Sequence, residues 1–199
     1  EMQFLGFTQQ AFHQICQQMS RVRFRTRGSH TAQITIRSPF GGGVRTPEFH
    51  SDSMEAQFAQ SSGLKIAMPA NPYDAKGLLL EAIRDPDPVL YLEPLRGYRL
   101  ITGEVPRDDY TVPFGRLRVV REGTDVTVIA WSGAVPVAEK AAEIAAEQGI
   151  SAHVVDLRTL VPLDEEGLVA AVEKTGRCVV VHESVALAGF GAEVIAFLQ

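Results

Sequence analysis

Apolar residues near the start of the chain recur at two different spacings. Between residues 9 and 24 they have the three- and four-residue spacing of a helix with one buried face. These positions are Ala11, Phe12, Ile15, Met19 and Val22. Residues 32–38 are instead rich in β-branched side chains and end shortly before three consecutive glycines. The pattern therefore predicts a helix over 9–24 and a strand over 32–38.

The same alternation of strand and helix continues downstream. Residues 63–70 and 88–94 have the short apolar runs of buried strands, and residues 71–85 between them have helical periodicity. Asn71 or Asp74 is suited to cap the start of that helix. A strand, a helix and a second strand in this order favour a parallel βαβ unit.

The pattern is interrupted once and then restarts. Residues 103–115 contain prolines and acidic residues without apolar periodicity, which is typical of a linker. The elements predicted after it are strands over 125–131, 151–160 and 177–184, and helices over 134–149, 164–176 and from 189 onward. We therefore predict an α/β fold with two open, mostly parallel, doubly wound domains. Because the last helix has no stop signal and the first residue is not methionine, we expect a piece of a longer polypeptide.

Composition narrows the classes of function. The chain has 199 residues, of which 45% are hydrophobic, and a net charge of −5. An acidic chain without a broad basic surface is not expected to bind nucleic acid or an anionic membrane. No apolar run reaches the ~20 residues that span a bilayer. With only Cys16 and Cys178 in apolar contexts, we expect a reducing compartment, the cytoplasm.

The residues after the first strand are the strongest candidates for chemistry. Gly41, Gly42 and Gly43 follow a predicted strand at the edge where doubly wound sheets bind ligands. A tight or mobile turn is the plain alternative, and no phosphate-binding glycine motif is present. His50 follows among acidic residues, a context that suits proton transfer near neutral pH, although lone loop histidines are commonly structural. His182 ends a strand of the second sheet, where a structural role is the ordinary one.

Longer stretches of the sequence resemble a known family. They are EMQFLGF, RSPFGGGVRTPEFHSDS, GLLLEAIRDPDPVLYLEP and VVDLRTLVPLD. They are similar to the beta subunit of the thiamine-diphosphate-dependent first component of 2-oxo acid dehydrogenase complexes, and most of all to the bacterial pyruvate dehydrogenase type. The resemblance implies the C-terminal part of a pyrimidine-binding domain over 1–103, a linker over 104–117 and an incomplete transketolase C-terminal-like domain over 118–199.

The resemblance also implies roles for individual residues. Phe7 would lie against the aminopyrimidine ring of thiamine diphosphate, with Gln3 nearby, and His50 would assist proton transfers and acylation of the lipoyl arm. The diphosphate and its Mg²⁺ would be held by an alpha subunit. A structural K⁺ would be bound by oxygens of Ile34, Ala82, Ile83, Asp85 and Asp87.

The implied assembly contains two alpha and two beta subunits and passes the acyl group to a lipoyl-bearing dihydrolipoyl acyltransferase. The glutamate that activates the cofactor in this family lies upstream of EMQF, and Glu1 does not match it. Three alternatives stay open at this point. They are a branched-chain 2-oxo acid dehydrogenase subunit, a transketolase-like enzyme with a sugar substrate, and a non-catalytic assembly module of the same fold.

Overall fold

The computed structural model describes residues 1–199, and its eight strands form two four-stranded sheets. The strands are β1 (Thr35–Phe40), β2 (Lys65–Ala67), β3 (Val89–Pro94), β4 (Arg118–Arg121), β5 (Val126–Ala130), β6 (Ala152–Asp156), β7 (Thr159–Val161) and β8 (Cys178–Val181). The α-helices are α1 (Val22–Arg25), α2 (Glu55–Ala59), α3 (Pro72–Arg84), α4 (Gly97–Leu100), α5 (Val135–Glu147), α6 (Glu165–Glu173) and α7 (Phe190–Leu198). No helix combines the length and the apolar character needed to cross a membrane.

The first sheet has the strand order β1-β3-β2-β7. β1 and β2 both pair with β3 in parallel, so that Thr35 and Lys65 lie opposite Val89 on its two sides. β7 pairs with β2 in the antiparallel direction, although it belongs to the second half of the chain. The expectation of one strand over 151–160 is therefore wrong. The chain breaks that run at Arg158, whose φ of 61° is left-handed, and sends the residues beyond it to the first sheet.

The second sheet has the order β4-β6-β5-β8. β6 and β8 flank β5 in parallel, and β4 is added antiparallel beside β6. β4 escaped the sequence pattern because it is a short edge strand of only four residues, two valines between two arginines. The predicted fold class, α/β with two mostly parallel sheets, is confirmed.

The first predicted helix is only partly right. Residues 5–25 are helical throughout, but the pitch changes from 3-10 over Leu5–Ala11 to π over Gln14–Gln18, and back to 3-10 before α1. The predicted apolar face is confirmed at four of its five positions, since Ile15 is buried and Ala11, Phe12 and Met19 pack against the same core. Spacing alone does not report pitch over so short a segment, because α turns differ from 3-10 turns and from π turns by less than one residue.

The capping residue and the helix-ending glycines predicted from the sequence are confirmed. The Asn71 side chain accepts a hydrogen bond from the Asp74 backbone N–H and so caps α3, which settles the choice between the two residues. Gly149 and Gly176 follow α5 and α6 with positive φ, as expected of glycines at helix ends. β1 begins at Thr35, three residues later than predicted, and continues to Phe40.

A single large core ties the halves together. Nineteen buried residues form one cluster that runs from Leu5 through Phe58 and Trp131 to Val194. The predicted linker contains no regular secondary structure between α4 and β4, yet it packs on α3, where the Val112 backbone N–H donates to the Gly77 carbonyl. The two sheets are therefore joined by side-chain packing as well as by the chain itself.

Candidate active site

The carboxyl ends of strands from both sheets meet at one place. Gly41 and Gly42 follow β1 directly, and Glu183 stands two residues after β8. The Gly42 backbone N–H donates to Glu183 Oε1 over 2.6 Å. Gly133, which follows β5, lies so close that a Cβ there would be 3.3 Å from Glu183 Oε2. This is the edge at which doubly wound sheets bind ligands.

His50 lies in this region within a 3-10 turn, Glu48–His50. Its imidazole is surrounded by three phenylalanine rings. The ring centroids of Phe4, Phe7 and Phe49 are 4.6, 5.4 and 4.4 Å from that of His50. Phe4 and Phe7 present their edges at 71° and 82°, which are favourable angles for aromatic pairs. The turn and the aromatic rings therefore fix the orientation of the imidazole.

The imidazole of His50 is half-buried, and its Nδ1 is buried without a hydrogen-bond partner. Buried polar atoms are nearly always paired in native proteins, so an unpaired one indicates a place for a ligand or an ordered water. Such a nitrogen can donate or accept a hydrogen bond, depending on the tautomer of the ring, and can act as a general acid or base. The geometry therefore suits proton transfer to a molecule bound beside the phenylalanine rings.

The segment from Gln3 to Phe7 lies directly against the His50 turn. Gly6 permits this approach, because a Cβ on it would lie 2.3 Å from the carbonyl oxygen of Phe49. Phe7 is half-buried, and its ring centroid is 5.1 Å from that of Phe49. Gln3 is exposed, and its side chain makes no hydrogen bond within the protein. The structure thus brings Phe7 and His50 together and leaves the Gln3 amide available to a ligand.

Glu55, one of the acidic residues close to His50 in sequence, is buried. Glu55, at the start of α2, is 1% exposed and faces the second half of the chain. Burial raises the pKa of the Glu55 carboxyl and the charge of Glu183 adds to the rise, while the Glu55 backbone N–H and the neighbouring Trp131 oppose it. Glu55 Oε2 has no partner. Burial therefore disfavours the charged form of the Glu55 carboxyl, which belongs to the contact between the sheets.

The five residues expected at a cation site also lie together. The carbonyl of Ala82 accepts from Thr35 Oγ1, that of Ile83 from Gln33 Nε2, and that of Ile34 from the Val89 backbone N–H. The two carboxylates have cationic partners: Lys65 Nζ is 2.5 Å from Asp85 Oδ2, and Arg23 Nε is 2.6 Å from Asp87 Oδ1.

All of these ligand candidates are oxygens, which suits a hard cation, and each carbonyl keeps a second lone pair. No group of three or more histidine, cysteine, aspartate or glutamate side chains in the chain is arranged to hold a metal ion.

Sequence reasoning missed several contributors to the site. Phe4 and Phe49 stand beside residues that were named, and their aromatic character was the only signal available. The sequence gives no signal for Glu183, because its partner Gly42 is 141 positions away in the chain. Trp131 gave no functional signal, yet its ring stacks on that of His182 with centroids 5.1 Å apart.

Two mostly parallel sheets that share one core and meet at a histidine-bearing loop define a chain of the transketolase-like α/β class. The match to family models agrees with this class. Residues 1–99 match the transketolase pyrimidine binding domain, and residues 115–199 match the transketolase C-terminal domain. The chain belongs to the family of proteins in which these two domains follow each other.

Similar proteins include beta subunits of pyruvate dehydrogenase. The chain is 51% identical, over 100% of its length, to the pyruvate dehydrogenase E1 component subunit beta of Staphylococcus aureus strain Mu50. It is 50% identical, over 98% of its length, to the protein of the same name in Bacillus subtilis strain 168. The chain spans 61% and 60% of the length of these two relatives.

A solved structure described as "Split gene transketolase, inactive beta4 tetramer" has the same fold. Its TM-score with this chain is 0.80 at 26% sequence identity. The match covers 98% of this chain and 61% of that one. The likeness supports the arrangement of both sheets, including the meeting of their carboxyl ends.

Proposed function

We propose that the chain supplies the pyrimidine-binding half of a thiamine diphosphate site in a pyruvate dehydrogenase E1 component. The observation that carries this proposal is the placement of His50 against Phe4, Phe7 and Phe49, with an unpaired buried Nδ1, in a chain 51% identical to such subunits. An alpha subunit would hold the diphosphate and its Mg²⁺. The acceptor of the acyl group would be a lipoyl arm of a dihydrolipoyl acyltransferase.

The residues of this chain fit the pyrimidine end of the cofactor. Phe7 would hold the ring by dispersion and stacking, and the free Gln3 amide would donate or accept one hydrogen bond. Bound thiamine diphosphate supplies the carbanion chemistry of decarboxylation. His50 would move a proton at an imidazole nitrogen near the reacting carbon, and the three phenylalanine rings would exclude water from that proton.

The test is the variant His50→Ala in the full chain assembled with its alpha subunit. We expect acyl transfer to lipoyl to fall by about 10²- to 10⁴-fold, the usual contribution of a general acid or base. Thiamine diphosphate affinity, measured by calorimetry, should change little because Phe7 and Gln3 remain. His30→Ala is the matched control, since His30 is exposed and bonds only to its neighbours. Normal acyl transfer in His50→Ala would remove this residue from the catalytic role.

The second part of the proposal concerns which 2-oxo acid is the substrate. We assign pyruvate because the similar proteins carry that name, and the branched-chain 2-oxo acids are the alternative substrates. Turnover of both classes by the assembled protein separates them. A non-catalytic role is the remaining alternative, and the word "inactive" in the description of the similar solved structure is the observation that favours it. If the complete assembly turned over none of the 2-oxo acids, that result would support the non-catalytic role.

We further propose a structural potassium ion bound by oxygens of Ile34, Ala82, Ile83, Asp85 and Asp87. The support is an oxygen-only ligand set at the end of α3, where helix carbonyls carry negative potential. Replacing NaCl by KCl at constant ionic strength should raise the melting temperature, and Asp85→Asn should reduce that difference. Equal melting temperatures in the two salts would argue against the ion.

We also propose a cytoplasmic location for the protein, which cell fractionation tests.

A further inference from the structure

The loop that carries His50 is closed at its base. We define the His50 loop as residues 41–53, from the end of β1 to the approach of α2. The Gly41 backbone N–H donates to the Asp52 carbonyl over 3.2 Å, which brings the two ends of the loop together. Within it, the His50 backbone N–H donates to the Pro47 carbonyl over 3.1 Å. The position of the imidazole therefore depends on how the base of the loop is held.

Two consecutive residues from the second half of the chain hold that base. The carboxylate of Glu183 accepts from the Gly42 backbone N–H over 2.6 Å, at the start of the loop. The hydroxyl of Ser184 donates to the Ser53 carbonyl over 2.5 Å, at its end. These contacts join residues 141 and 131 positions apart. The end of β8 thus binds both ends of a loop that belongs to the other sheet.

The glycines at the start of the loop are fitted to this contact. Gly41 is buried and has a φ of +87°, which side-chain-bearing residues rarely adopt. A Cβ on Gly41 would lie 2.6 Å from Glu183 Oε2 and would displace the carboxylate. Because Gly41 has no side chain, the Glu183 carboxylate can lie beside it and accept the hydrogen bond from the Gly42 backbone N–H.

The carboxylate of Glu183 has an unusual set of neighbours. It forms no ion pair with a lysine, arginine or histidine in the chain. The buried Glu55 carboxyl is close enough for the charge of Glu183 to help raise the pKa of Glu55. A second acid nearby makes this a poor place for a carboxylate unless the backbone N–H compensates. The hydrogen bond from the Gly42 backbone N–H is therefore the contact that holds the Glu183 carboxylate here, since no cationic side chain pairs with it.

We propose that Glu183 and Ser184 are positioning residues that hold the His50 loop in place for the reaction. They act through the backbone of Gly42 and Ser53. This inference rests on the proposed function only for the role of His50, since the loop contact is a property of the fold. The C-terminal domain would thereby set the geometry of chemistry carried out on the pyrimidine-binding domain.

The first test measures the loop directly, by hydrogen–deuterium exchange of the peptide covering residues 41–53 in the full chain. Glu183→Ala should raise exchange in this peptide by about tenfold, because the Gly42 amide loses its acceptor. Glu183→Gln keeps the Oε1 acceptor and should restore most of the protection. Glu193→Ala is the matched control, since Glu193 is exposed on α7 and makes no side-chain hydrogen bond or ion pair.

The second test measures the reaction in the assembled protein. Glu183→Ala should lower kcat for acyl transfer to lipoyl by about tenfold and leave KM for the 2-oxo acid unchanged, because a misplaced histidine affects the chemical step. Glu183→Gln should recover kcat. Ser184→Ala removes the other contact and provides a second route to the same result if Glu183→Ala folds poorly.

The outcomes separate this inference from the proposed function. Unchanged exchange in Glu183→Ala, or equal exchange in Glu183→Ala and Glu183→Gln, overturns the positioning role. Faster exchange without any loss of kcat also overturns it, because the loop contact would then have no catalytic consequence. If the unmodified assembly turns over no 2-oxo acid, the proposed function fails, while the exchange result still decides whether Glu183 holds the loop.

Discussion

Replacing Arg158 with methionine would remove a guanidinium group from a buried carboxylate. Arg158 Nη2 donates to Asp74 Oδ1 over 2.7 Å, and the side chain of Asp74 has no exposure to solvent. The contact joins α3 of the first half to the connection between β6 and β7 in the second. Methionine keeps much of the apolar stem, so the variant tests the charge and the hydrogen bond rather than packing.

The size of the effect follows from what remains around Asp74. Loss of the sole partner of a buried charge costs roughly 3–5 kcal/mol. Here Arg118 Nε still lies 3.4 Å from Asp74 Oδ2, and Asn71 Nδ2 still donates to that oxygen over 2.5 Å. We therefore expect Arg158→Met to lower the free energy of unfolding by about 2–3 kcal/mol.

Urea denaturation of the full chain measures this free energy. Trp131 is the only tryptophan and lies in the core cluster that spans both sheets, so its fluorescence reports loss of that core. Arg116→Met is the control, since Arg116 is exposed and unpaired. In a double-mutant cycle with Asp74→Asn, we expect a coupling energy of at least about 1 kcal/mol. A cost below about 1 kcal/mol, or full additivity with Asp74→Asn, would refute this account of the pair.

Two further predictions concern pH and the approach of the first segment to the His50 turn. Burial raises the pKa of Asp156 from 3.8 to about 6, against the opposing charge of Arg118. The Asp156 carboxyl thus binds its proton more tightly in the folded state than in the unfolded state. Protonation of Asp156 therefore stabilises the folded state fully below about pH 4, and this contribution is lost as the pH rises through 6. Asp156→Asn should therefore become more stable relative to the parent by about 3 kcal/mol between pH 4 and 7, measured by urea denaturation; a constant difference would contradict the shift. Gly6→Ala would push a Cβ to 2.3 Å from the Phe49 carbonyl oxygen and should weaken thiamine diphosphate binding in calorimetry, while Gly103→Ala, whose nearest neighbour would be 3.5 Å away, should not.

The sequence predicts most of the fold because buried parallel strands and amphipathic helices leave strong periodic signals. Strands β3 and β5 and helices α3 and α5 were predicted from these signals. The prediction of one strand over 151–160 is wrong because the apolar pattern continues across Arg158. The left-handed conformation of Arg158 has no reliable signal in a residue with a side chain.

The candidate site was predictable to a smaller degree. The glycines after β1 indicated a close approach, and that approach is real at Gly41. The partner in that contact, Glu183, comes from another sheet, and no local pattern connects the two residues. The roles of Phe7 and His50 came from resemblance to a family rather than from spacing. Neighbours that depend on tertiary packing, such as Phe49 beside His50, become visible only in three dimensions.

The crossing of β7 from the second half of the chain into the first sheet affects how the protein tolerates division. β7 covers one edge of β2, where its backbone groups pair with those of Ile66 and Ala67. A polypeptide ending at residue 103 would leave that edge bare, and an uncovered strand edge invites pairing with other molecules. The N-terminal half expressed by itself should consequently aggregate, and supplying β7 in trans should rescue it.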